Sequence, residues 1–448
     1  MQGLAGYCQL DTGSSIPVTY GMENDRIAIV GGVRTPFAKA FTDLTDLNAS
    51  DLAKLTTQEL IQRLDLPPEA VDEIIWGAVL PTMSNLNVGR EVAIALGLNH
   101  APGFTLARQC ATGLQSITSA AEHIMAGQAG AIIAGGSESM SNTPVVYKKR
   151  LIMALLKVQQ ARSLGQRLKS IRRIKLLDFI PIPPAIEEPS TGLSMGRHAE
   201  LMAQLNSISR EAQDEYALMS HTRAAAARKE GRVDGDLVPV SLPPKHERYF
   251  SEDNLIRDDV SLEQLARLRT VFDRRHGSLT AGNSSALTDG SSAVMVMSKG
   301  RAKELSLEPW GFIRSYAYVS IPPLPQLLLA PAYAVPKVLD QAGLTLADMD
   351  LFEIHEAFAA QVLSVVQKLE SDDFAHDELG RSGAVGKVDM DTLNVNGGSL
   401  AYGHPFGATG GRIVINLLQE LRRRDKSLGL LAICTANAMG VAMVLERR

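Results

Sequence analysis

The order of residues around two reactive side chains constrains the fold of this chain most. Cys110-Ala111-Thr112-Gly113 opens an apolar helix that leads to AGAIIAGGSES at 129 to 139. His404-Pro405-Phe406-Gly407-Ala408-Thr409-Gly410 opens a second helix that leads to LGLLAICTANA at 428 to 438. A reactive residue, small residues, a helix, a strand and a small-residue loop therefore occur twice in the same order. This pattern reads as an internal duplication, and two such halves packed face to face bring both helix N-termini toward a shared cleft.

The rest of the chain fits around these units. Strands are expected at 26–31, 73–79 and 129–134, with a turn at 32–36. Helices are expected at 50–64, opened by a Ser-Asp cap, and at 87–96. A strand at 290–297 closes the first half. The second half reads as a strand at 310–318, a helix at 334–342, a strand at 351–354, a helix at 356–368, and a strand at 428–433 that ends just before Cys434. Alternating strands and helices predict an α/β fold with a largely parallel sheet. The first half occupies 26–146 and 273–299, the second 300–448, and a mostly helical domain, strongly helical at 195–229, is inserted at 147–272. Residues 1–25 read as a disordered extension, with Met22 a candidate start and Cys8 without a function.

The insert opens with a basic stretch. Residues 147–177 hold ten Lys or Arg and no acid, which leaves −14 to the rest of a chain whose net charge is −4. Leu151, Leu155 and Val158 share one helical face, and Leu164, Leu168 and Ile171 another, before Pro181, Pro183, Pro184 and Pro189. Such a segment suits a membrane surface or an anionic partner, with an ordinary solvated helical insertion as the alternative. The overall negative charge argues against nucleic acid as a partner. Three cysteines without a close pair suit a reducing compartment. No zinc-type cysteine spacing, phosphate loop or dinucleotide fingerprint is present, so no metal or redox cofactor is expected. No secretory signal or membrane span is recognisable. The expected location is cytoplasmic, with peripheral contact at the inner membrane through 147–177.

Four side chains carry the chemistry. Cys110, near a helix N-terminus, has amides and a dipole that favour a thiolate, although a lone cysteine is also a common buried structural residue. Gly113 leaves room for a ligand or another backbone. His404 stands on a stiff loop before Pro405, suited to accept a thiol proton or stabilise an oxyanion, or simply satisfied in its loop. His355 follows the 351–354 strand, at an edge where α/β sites form. Cys434 stands before a loop of small residues. A cysteine nucleophile needs a base, and a second acid/base group is needed where a carbon gains or loses a proton.

From about Arg26 to Arg448 the chain resembles the thiolases. The stretches that carry the resemblance are VRTPF (33–37), the Cys110 segment, GGSESMS (135–141), MGRHAE (195–200), TAGNSSALTDGSSA (280–293), HEAFAAQ (355–361) and NVNGGSLAYGHPFGATGGR (394–412). With HEAF in place of the usual Asn-Glu pair, QLLLAPAYA (326–334) and AYGHPF (401–406), it is most like the 3-ketoacyl-CoA thiolase (β) subunits of fatty-acid oxidation trifunctional complexes.

The resemblance implies a thiolase fold of two αβαβα halves with a loop domain inserted in the first. It implies an acetyl-CoA C-acyltransferase of fatty acid β-oxidation. Cys110 attacks the 3-keto carbonyl with help from His404, and Cys434 protonates the departing acetyl-CoA and then deprotonates the incoming CoA. One oxyanion hole comes from His404 and a water held by His355, the other from the amides of Cys110 and Ala436. Ser285 and Met195 fall in substrate- and CoA-binding positions. CoA is a substrate rather than a cofactor. A homodimer, or a complex with a hydratase/dehydrogenase α-subunit, is implied as the assembly.

One departure stands out. The family usually has two adjacent glycines after the second cysteine, whereas this chain reads Cys434-Thr435-Ala436-Asn437-Ala438-Met439-Gly440, with Ala436-Asn437-Ala438 as the departure. Asn tolerates left-handed backbone and Ala does not, so a tighter or shifted loop is expected. Two other readings share the fold: a biosynthetic acetoacetyl-CoA thiolase, and a non-catalytic scaffold or lipid-binding relative. A decarboxylating ketoacyl synthase would carry histidine in place of Cys434.

Overall fold

The duplicated order is visible in the strand pairing of the computed structural model, which describes residues 26–81, 85–172, 174–181 and 187–448. The expectations for 1–25, with Cys8 and Met22, and for Arg173, Pro183 and Pro184 lie outside the described residues. In chain order come β1 (Ile27–Arg34), α1 (Ala49–Arg63), β2 (Glu73–Gly77), α2 (Val88–Ala95), β3 (Gly103–Leu106), α3 (Thr112–Met125) and β4 (Ala131–Ser139). The insert supplies α4 (Lys149–Gln160), α5 (Leu164–Ile171), α6 (Met195–Leu205) and α7 (Arg210–Lys229). Then follow β5 (Thr288–Ser298), β6 (Gly311–Ser320), α8 (Pro331–Ala342), β7 (Leu351–Ile354), α9 (Ala359–Leu369), α10 (Phe406–Arg423), β8 (Leu428–Thr435) and β9 (Met439–Glu446).

The main sheet runs β7-β8-β9-β6-β1-β5-β4-β2-β3. Outward from its centre, β1-β5-β4-β2 and β6-β9-β8-β7 repeat one scheme: antiparallel, antiparallel, parallel. The sheet is therefore mixed, not largely parallel. The cause is local: β8 and β9 are joined by three residues, too few for the crossover that parallel neighbours need. The halves are also not simply stacked. β1 and β6 pair at only Ala28–Phe312 and Ile29–Gly311, so two half-sheets meet at a short seam.

Between them lie α3 and α10. A side chain on Gly113 or Gly136 would run into the Gly407 carbonyl, and one on Gly410 into the Leu114 backbone. Gly113 thus admits another backbone, that of α10, rather than a ligand. Leu114, Ile117 and Ala121 of α3 join Ile413, Val414 and Leu417 of α10 in a core shared with β4, β8 and β9. That burial fixes the ends of both helices next to each other.

Several boundaries differ from the sequence reading. β1 continues through Arg34, with Gly32, Val33 and Arg34 paired to β5, where a turn was expected. Asn48 caps α1, accepting from the Ser50 and Asp51 amides while Asp51 reaches back to the Asn48 amide. Residues 195–229 form two helices, because Ser207 is left-handed and Ser209 caps α7. The buried Arg34 guanidinium forms two 2.8 Å bonds to Asp253, which also accepts from the Phe37 amide and so ties the insert to the sheet. The basic segment forms α4 and α5, on which Leu151 is buried while Leu164 and Leu168 are 77% and 60% exposed.

Candidate active site

Cys110 is half-buried at the head of α3. Its approach is held by a left-handed Gln109 (φ 47°) and by Thr112, whose hydroxyl accepts from the Arg108 amide at 2.7 Å and donates to the Gln109 carbonyl at 2.6 Å. The backbone amides of Cys110 and Ala436 beside its sulfur favour the thiolate. Burial nonetheless pushes the thiol up to about 12, and the Glu138 charge adds to the rise. The expected thiolate is therefore not the resting form: desolvation outweighs the helix end.

His404 is buried, and its backbone amide donates to the Ala286 carbonyl at 3.0 Å. His355 continues from β7, its amide on the Ala432 carbonyl at 2.8 Å. Their ring centroids are 4.2 Å apart. Cys110 and the two histidines bring one sulfur and two ring nitrogens within 4.8 Å of one another. Each imidazole is oriented from behind: His404 Nδ1 meets Thr409 Oγ1 at 2.6 Å, and His355 Nδ1 meets Ser399 Oγ at 3.0 Å. Arg412 donates to the same Ser399 oxygen at 3.1 Å. On both rings Nε2 has no hydrogen-bond partner among the described residues. Burial lowers His404 to about 3, helped by Arg412. Burial, then His404 and Arg412, holds His355 well below the usual range. Both rings are neutral, and a neutral imidazole with a free Nε2 is a proton acceptor for the thiol. One thiol and two imidazoles also have the chemistry to hold a soft divalent ion.

Cys434 is buried inside β8, opposite Gly440 of β9, rather than after the strand. Burial raises its thiol, and the nearby Cys110 raises it further. Cys110, His404 and Cys434 line one cavity of about 500 Å³, together with Ser285, Met195 and Ala436. His355 lies behind His404. In the hairpin after Cys434, Asn437 and Ala438 both take left-handed backbone, at φ 61° and 54°.

Supporting residues were not legible beforehand. Glu356 is fully buried, accepting from Tyr216, Ser220, Asn394 and the Leu400 amide, so it clamps the His355 and Ser399 backbones to α7. Glu138 accepts from the Val79, Leu80 and Gly407 amides, and burial raises it to about 7. Both stood inside quoted motifs, HEAF and GGSES, but their partners come from distant segments.

A nucleophilic thiol, a neutral imidazole and a second thiol, served by backbone amides, are the equipment of a cysteine-dependent acyltransferase. The chain belongs to the thiolase family: the thiolase N-terminal domain matches residues 27–300 and the C-terminal domain residues 307–447. It is 48% identical over 425 residues to a 3-ketoacyl-CoA thiolase of Escherichia fergusonii, covering 95% of this chain and 97% of that one. Among solved structures, the Bacillus anthracis acetyl-CoA acetyltransferase matches with TM-score 0.82 and 33% identity, over 94% of this chain and 99% of that one. Human mitochondrial 3-ketoacyl-CoA thiolase in complex with CoA matches with TM-score 0.80 and 29% identity, over 95% and 99%.

Proposed function

We infer that the chain is a 3-ketoacyl-CoA thiolase, cleaving a 3-ketoacyl-CoA with CoA to acetyl-CoA and an acyl-CoA two carbons shorter. The observation that carries the mechanism is the grouping of Cys110 with the neutral His355 and His404 within 4.8 Å, where Cys110 and His404 line a cavity together with Cys434. His404 Nε2 takes the Cys110 proton as the sulfur attacks the 3-keto carbon. The protonated ring then donates to the new oxyanion, with His355 beside it. The carbon–carbon bond breaks, acetyl-CoA leaves as its enolate, and Cys434 gives that carbon a proton. The Cys434 thiolate takes the proton of the incoming CoA thiol, which attacks the acyl-Cys110 thioester and frees Cys110. The amides of Cys110 and Ala436, beside the sulfur, are suited to hold the thioester oxyanion. Ser285 and Met195, on the cavity wall, are assigned to the CoA arm and acyl chain. CoA enters as substrate, and the scheme uses no metal or redox cofactor.

The reading includes a homodimer, alone or with a hydratase/dehydrogenase α-subunit. It also includes peripheral contact of residues 147–177 with an anionic membrane surface. Support for the latter is the exposure of Leu155, Leu164, Leu168, Ile171, Leu176 and Leu177 in a segment where nine described Lys and Arg stand without an acid before Asp178. No helix among the described residues is long and apolar enough to cross a membrane.

The test is CoA-dependent cleavage of 3-ketoacyl-CoAs of short and long chain, with Cys110→Ala as control. Cleavage of the long chain, abolished by the substitution, is the expected result. Turnover confined to acetoacetyl-CoA would replace this reading with the biosynthetic one. A folded protein inactive on every chain length would point to the non-catalytic relative.

A further inference from the structure

Asn437 stands where the resemblance leads one to expect glycine, and its side chain is engaged on two sides. Its Oδ1 accepts from Gln109 Nε2 at 3.0 Å, and Gln109 is the left-handed residue directly before the nucleophile. Its Nδ2 donates to Glu188 Oε2 at 3.3 Å, and its backbone amide donates to the same oxygen at 2.9 Å. Glu188 is buried, with its other oxygen accepting from the Ser190 amide and hydroxyl. Glu188 also pairs with Leu193 in the short hairpin that leads into α6, whose first residue, Met195, lines the cavity. One side chain thus joins the segment before Cys110, the hairpin after Cys434 and the inserted domain. A glycine would keep the backbone bond to Glu188 and lose both side-chain bonds.

We propose that Asn437 is a positioning residue for the nucleophile, fixing Cys110 through Gln109 and holding the inserted domain to the cavity mouth through Glu188. The proposal rests on the thiolase reading. An approach pinned on both sides keeps the sulfur on its line to the carbonyl, and small misplacements of a nucleophile are costly in rate. The donors and acceptors are matched: the amide oxygen faces a donor, and the amide nitrogen faces a carboxylate. Aspartate at 437 would keep the first contact and set two carboxylates against each other at the second.

The experiment compares wild type with Asn437→Gly, Gln109→Ala, their double variant, Asn437→Asp, and Asn437→Asp combined with Glu188→Gln. Steady-state thiolysis and the iodoacetamide alkylation rate of Cys110 are measured on each. Asn437→Gly is expected to lower kcat about tenfold with KM within about threefold, since a positioning loss falls on the transition state. Gln109→Ala should do the same, and the double variant no worse than either single one, because one bond is shared. Asn437→Asp should fall further, and Glu188→Gln beside it should recover part of that loss by removing one of the two facing negative charges. Alkylation of Cys110 should speed up roughly fivefold in Asn437→Gly as the segment loosens.

Unchanged kcat and alkylation in Asn437→Gly, or multiplicative losses in the double variant, would overturn the proposal. Wild-type turnover beside unaffected variants would sink this proposal alone. An inactive wild type would sink the thiolase reading, while the alkylation rates would still decide the role of Asn437.

Discussion

A thiol near 12 beside an imidazole near 3 leaves the resting pair uncharged, so the nucleophile is made only as substrate arrives. The sign is testable. The thiolate fraction rises with pH and stays far from saturation, so alkylation of free Cys110 should climb about tenfold per pH unit from 7 to 9 without a plateau. A plateau below pH 9, followed by mass spectrometry of the Cys110 peptide, would reveal a preformed thiolate–imidazolium pair instead. Ala438 offers a second test. At φ 54° its side chain sits in a conformation that costs an L-residue about 1–2 kcal/mol. Ala438→Gly should therefore raise the unfolding free energy by about 1 kcal/mol after the entropic cost of glycine, read from chemical denaturation. Cys110, His355, His404 and Cys434 were legible because reactive side chains beside Gly and Pro at element ends stand out in a sequence. Thr409, Ser399 and Glu356 did not, because each matters only through a partner that folding supplies.

At the scale of elements, VRTPF stood out as a motif, yet nothing in it names Asp253, more than two hundred residues away. The structure explains Arg34 by that buried pair. Removing one partner strands a charge in the interior, so Asp253→Ala should destabilise the protein by about 3–5 kcal/mol, seen as a lower thermal midpoint. A midpoint within a degree of wild type would show the contact to be dispensable. Strand positions were readable from apolar runs, but their direction was not. β5 and β9 look like their parallel neighbours in composition, and only the three-residue link and the return from the insert turn them antiparallel. Helix ends drifted by one to three residues; at α1, Asn48 and Ser50 are both capable caps and the Asp51 contact decides between them.

For the molecule as a whole, the duplication was legible in the paired helix–strand–loop order, and the shared core was not. The basic segment belongs at this scale too. Its exposed leucines and cations predict that the protein floats with vesicles rich in anionic lipid and not with neutral ones, and that about 0.5 M salt weakens the association by screening. Equal recovery with both vesicle types would mark α4 and α5 as an ordinary solvated insert.

The seam between the half-sheets, two residue pairs wide, has a consequence for how the chain is inherited as a unit. With so little backbone holding the halves together, α3 and α10 do that work, each being interior to both. Neither half is then a self-sufficient module, despite the appearance of two copies of one. Cut near residue 300, each fragment would expose the apolar face of its central helix and find its complement only in the other. The ancestral duplication has become an obligate partnership inside one chain.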